Sequence, residues 1–114
     1  MKIIDSPIKR EEVIKNYSHF FNRVIKAVVD IEREIIAIDA ELHADLEELL
    51  LDTGSKQEKL WGINLYLDEK EEENRIEYTA LINIRPSMGN ASMEIVDPEI
   101  KKKIREIVKR FIVE

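Results

Sequence analysis

A chain of 114 residues has room for one domain and one core, and its 44% apolar content is enough to build that core. The absence of cysteine excludes disulfides, thiolate metal sites and cysteine nucleophiles. A net charge of -6 argues against bulk nucleic-acid binding, which needs a basic surface to neutralise phosphates.

Charged residues reach 37% and glutamine occurs once, a bias shared with hyperthermophile proteins. No apolar run approaches membrane-spanning length and the N-terminus has no apolar targeting core, so a soluble cytoplasmic protein is expected.

In chain order, "KII" at residues 2–4 reads as a short strand broken by Asp5-Ser6-Pro7. Ser6 as N-cap and Pro7 at the first helical position then predict a helix carrying Ile8, Glu11, Val13, Ile14 and Tyr17 near one side. Residues 24–42 admit two readings. Val24, Val28, Ile31, Ile35, Ile38 and Leu42 make a helical stripe, whereas Ile25, Ala27, Val29 and Ile31 alternate like a strand. The many β-branched residues favour two strands, about 24–31 and 35–40, with a turn at Glu32-Arg33-Glu34. That turn has neither Gly nor Asn, which counts against the hairpin.

"LHADLEELLLDTG" predicts a helix with Leu42, Leu46, Leu49 and Leu50 on one face and Gly54 as its stop. "LWGINLYL" and "IEYTALINIR" both alternate with period two around the polar loop "DEKEEEN", which predicts an antiparallel hairpin. Its register would bury Trp61, Ile63 and Leu65 with Tyr78, Ala80 and Ile82. Asp97 and Pro98 open a last helix with a stripe of Ile100, Ile104, Ile107, Val108 and Phe111. The fold class expected is α+β: one domain over residues 1–114, an antiparallel sheet of about four strands with helices packed on one face.

The stretches "AVVDIERE", "ELHADLEELLLDTGSKQEKLWGINLY", "INIRPSMGN" and "DPEIKKKIREIV" together resemble a family of short prokaryotic proteins catalogued only as a domain of unknown function. The resemblance implies a small soluble prokaryotic protein and supports the hairpin reading of residues 24–40. It brings no activity and no catalytic residues.

Candidate sites therefore come from the residues. The predicted hairpin would gather Asn64, Tyr66, Glu77, Thr79, Asn83 and Arg85 on its outer face. Arg85 is the natural anchor for a small anion, because a planar guanidinium grips a carboxylate or phosphate through two bonds. Pro86 ends strand pairing there, and Gly89 and Asn90 can adopt the positive φ of an anion-binding nest. Against this stand a solvated sheet face and an ordinary polar loop; the segment also lacks a P-loop pattern.

His43 and Glu47, four apart on a helix, could share a divalent metal with a ligand from elsewhere, and His43 could serve as a general base; Asp45, the other catalytic candidate, also suits a capping place at the helix start. There is no HExxH pattern, and the only other histidine is His19, so no metal site and no cofactor are expected. The basic face of the last helix, Lys101, Lys102, Lys103, Arg105, Lys109 and Arg110, is expected to pair with the protein's own carboxylates. Trp61 reads as core.

Two functions remain open. A non-catalytic binding or assembly module, self-associating through a sheet edge or face, is favoured. The alternative is a small metal-dependent or general-base hydrolase, or a phosphate-binding enzyme, using His43, Asp45 and Arg85; it requires His43 and Arg85 to converge on one pocket.

Overall fold

The computed structural model describes residues 1–114. The disputed segment is a hairpin: β3 (Ile25–Asp30) and β4 (Ile35–Ile38) pair antiparallel, with Val28 opposite Ala37. Its turn manages without glycine because Asp30 supplies the missing order. The Asp30 carboxylate accepts from the backbone N–H of Glu32 and of Arg33, both at 2.9 Å, and Glu34 takes the one left-handed position at φ 57°. Glu34 then pairs with Arg110 and Lys103 of the last helix, so the turn is tied to the layer beneath it.

β1 (Lys2–Ile4) adds outside β4, and β5 (Leu60–Leu65) pairs along the whole of β3. With β6 (Ile76–Glu77) the result is a five-stranded sheet, β1-β4-β3-β5-β6, all antiparallel. Ile8–Lys9 (β2) and Ile112–Val113 (β7) form a separate parallel pair.

The α+β class and the antiparallel sheet stand as expected, while the layering is richer than helices on one face. Odd-numbered Ala27, Val29, Trp61, Ile63 and Leu65 face a core of 15 buried residues, closed by α1 (Arg10–Asn16) and α3 (Pro98–Phe111). Even-numbered Val28 and Leu60, with Ala37, face a smaller cluster closed by α2 (His43–Asp52). A strand buried on both faces needs side chains that are apolar in succession, and β3 and β4 have them.

α2 ends at Thr53, and Gly54 takes φ 105° as the sequence requires. In α3 the Asp97 side chain accepts from the Glu99 N–H at 2.9 Å, and Pro98 begins the helix. Two expectations fail. Ser6 is not a cap: residues 8–9 are spent on β2, and α1 starts at Arg10 with Lys9 before it.

The second failure is larger. Only Ile76–Glu77 of "IEYTALINIR" is strand; Leu81–Asn83 and Pro86–Met88 are 3₁₀ turns, with single bridges at Thr79–Glu94 and Arg85–Asn90. Tyr78 leans on the larger core while Ile82 packs on the α2 side, so the predicted shared face does not exist. Gly62 explains the departure. A Cβ there would lie 2.5 Å from Ala80 Cβ and 3.1 Å from Ile82 Cγ1, so the bare glycine lets this segment cross onto the sheet.

Candidate functional site

The residues singled out in the sequence gather along β5 and α2, but most of their polar atoms are engaged within the fold. Asn83 is fully buried. Its Oδ1 accepts from the Gly62 N–H at 2.8 Å, and its Nδ2 donates to the carbonyls of Gly62 (2.9 Å) and Met93 (3.1 Å). One side-chain amide thus does what a neighbouring strand would do at that point of the β5 edge.

Asn90 serves the same loop. Its Nδ2 donates to the carbonyls of Asn83, Ser92 and Glu94, and its Oδ1 accepts from the Val96 N–H. The Gly89 turn has φ 77°, yet the N–H groups of Met88, Gly89 and Asn90 all donate to carbonyls within the turn. Asn64 donates to Glu77 Oε1 at 2.7 Å and to the Thr79 carbonyl at 3.2 Å.

Arg85 lies with its guanidinium 5.0 Å from the centre of the Trp61 ring, and its Nη2 meets Glu47 Oε2 at 3.4 Å. Only 11% of its side chain is exposed, and burial pulls its pKa down from the usual value while Glu47 opposes that shift. Its Nη1 and Trp61 Nε1 are both buried without an acceptor.

His43, one turn before Glu47 on α2, donates from Nε2 to the Ile63 carbonyl at 2.8 Å. Burial lowers its pKa below the usual histidine value, and the charge of Lys26 adds to the effect. His43 and Arg85 therefore meet the same helix, joined through Glu47, whose spacing places it on the His43 face. Asp45 is exposed on another side of α2, in a groove with Glu41, Glu48, Leu49 and Phe20. Asp45 therefore stands apart from His43 and Arg85. The cluster is chemically a latch, an imidazole and a guanidinium paired with Glu47, holding α2 and the 79–96 segment to β5.

A second pair went unread in the sequence. Asp39 is buried, 5% exposed, and closes β4 with φ 72°. Its carboxylate accepts from the His19 N–H at 2.9 Å and from His19 Nδ1 at 2.5 Å, while the imidazole is 67% exposed. A buried carboxylate holding Nδ1 leaves Nε2 toward solvent, as in pairs that orient a general base. The only local signal was an aspartate ending a β-branched run, 20 residues from its histidine.

Four of the six basic residues of α3 pair as expected with the protein's own carboxylates, while Lys102 and Arg105 form no ion pair. Lys101 meets Glu94 at 3.0 Å, Lys103 meets Glu34, Lys109 meets Glu72, and Arg110 meets Glu34. No group of three or more histidine, aspartate or glutamate side chains is placed to hold a metal ion. No helix is long and apolar enough to cross a membrane.

Comparison with curated proteins and with solved structures returns no match. A family model described as "Protein of unknown function (DUF5674)" matches residues 2–111. With nearly the whole chain covered, the protein belongs to the DUF5674 family.

Proposed function

We propose that the protein is a non-catalytic binding or assembly module that pairs with a second copy of itself through the 79–96 segment. One observation carries this reading. Leu81, Ile84, Met88, Met93 and Val96 are all exposed, Leu81 by 71%, within one segment held rigidly on the β5 edge. Full burial of such a side chain is worth about 1.5–3 kcal/mol, so ten of them, partly exposed to begin with, supply roughly 10 kcal/mol across a two-fold interface. Association costs on the order of 4–15 kcal/mol, so the expected dimer is weak and concentration-dependent. A cytoplasmic location belongs to the same reading.

Light scattering behind a sizing column, run across micromolar concentrations, tests it. The native chain should move from monomer toward dimer as concentration rises. The double variant Leu81→Asp/Met88→Asp should stay monomeric with unchanged circular dichroism. A native chain that is monomeric throughout overturns the proposal.

The His19–Asp39 pair favours a second reading, a general-base hydrolase, because it provides an oriented imidazole open to solvent. No serine, threonine or lysine is bonded to His19, so water would be the group it activates.

A further inference from the structure

Away from α2, a cavity of about 470 Å³ opens between β6, the loop before it and α3. That volume lies within the range of small-ligand sites. Its floor is apolar: Leu67, Ile76, Tyr78, Val108 and Ile112. Arg10, Arg75, Arg105 and Lys109 stand in its walls, with Glu72, Glu73 and Glu106 among them.

Two of the arginines are fixed by the chain itself. Arg75 donates from Nε to the Glu69 carbonyl at 2.7 Å and from Nη2 to the Lys70 carbonyl at 3.3 Å. Arg10 donates from Nη1 to the Leu67 carbonyl. Each keeps one donor for the same acceptor group. Arg10 Nε meets Glu114 Oε2 at 2.7 Å, and Arg75 Nη1 meets Glu114 Oε1 at 3.4 Å. The arginine side chains are 27% and 14% exposed, whereas Glu114 is 69% exposed. The cations are thus fixed in position, and the carboxylate between them is open to solvent, where an ion pair contributes little to stability.

We propose that this cavity binds a small carboxylic acid with an apolar body, whose carboxylate replaces that of Glu114 between Arg10 and Arg75. The apolar floor takes the hydrocarbon part. The two donors reach the two oxygens of one carboxylate, the geometry Glu114 already displays. A phosphate dianion is disfavoured, since the three glutamates in the walls offset most of the positive charge. The site goes beyond the assembly reading and does not depend on it, because none of the exposed residues of segment 79–96 lines this cavity.

The test is a titration of the full chain with hexanoate, benzoate and inorganic phosphate, followed by amide chemical shifts in a ¹H–¹⁵N spectrum. Hexanoate or benzoate should give saturable shifts at Ile76, Tyr78 and Ile112. Glu114→Gln removes the internal competitor and should tighten binding severalfold. Arg10→Gln/Arg75→Gln should abolish it, with circular dichroism reporting whether that variant is folded. If it is not, the gain in Glu114→Gln decides alone. The proposal is overturned if neither carboxylate binds the native chain or Glu114→Gln, if Glu114→Gln binds no tighter, or if phosphate binds as well as hexanoate. Carboxylate binding that survives in the folded double arginine variant overturns it too.

Discussion

Burial lowers the His43 pKa although its Nε2 donates to the Ile63 carbonyl, and this sets what the residue contributes to stability as pH falls. Its pKa is below the usual histidine value, so as pH falls through about 6.5 the unfolded chain takes up a proton first. Stability from this residue is complete above that point and declines as pH falls toward the lower, folded value. Urea unfolding should therefore show a loss between pH 7.5 and pH 5 that His43→Gln removes, since glutamine keeps a donor for Ile63. An unchanged slope in His43→Gln would contradict the assignment. Glu34, Asp68 and Glu114 have lowered pKa values through Arg110, Arg23 and Arg10 respectively, and act only in the more acid carboxylate range. At this scale the sequence showed which residues carry chemistry but not their partners. Arg85, read as an anchor for an external anion, spends its charge on Glu47, 38 residues away.

Elements were legible where local signals and burial agreed. Asp97-Pro98 and the apolar stripe behind them specify α3, and Leu46, Leu50 and Gly54 specify α2. The period-two run of residues 76–85 misled because its apolar residues are divided between two cores, which alternation alone does not reveal. Asn83 takes the place of the missing strand partner. Asn83→Ala would leave the Gly62 N–H and carbonyl buried and unpaired, and such groups cost about 1–3 kcal/mol each. A loss of about 3 kcal/mol in urea-unfolding free energy is expected; a loss within experimental error would mean that water or the loop itself satisfies Gly62.

Across the whole molecule, burial is graded from the centre of the sheet outward. β3 pairs on both sides and is buried on both faces, while the β2–β7 pair has only two residues in each strand. Native-state hydrogen exchange should place the amides of Ala27, Val28 and Val29 among the slowest, near the free energy of global unfolding. Those of β2 and β7 should exchange earlier through local opening. Equal protection in β7 and β3 would refute this gradient.

The sequence by itself determined the α+β class, the Gly54 stop of α2 and the capped start of α3, and it favoured a hairpin over a helix at residues 24–40. These follow from short-range constraints: β-branched succession, helical stripes, and proline and glycine at helix ends. Tertiary structure alone decided the two-sided layering, the crossing of residues 79–84 over Gly62, and the joining of His19 to Asp39 and of Arg10 to Glu114. Each of these is a meeting of residues 18 to 104 positions apart, or of a helix with one of two equally apolar sheet faces. Periodicity records that a residue is buried, but the partner across the core is fixed only when the layers pack.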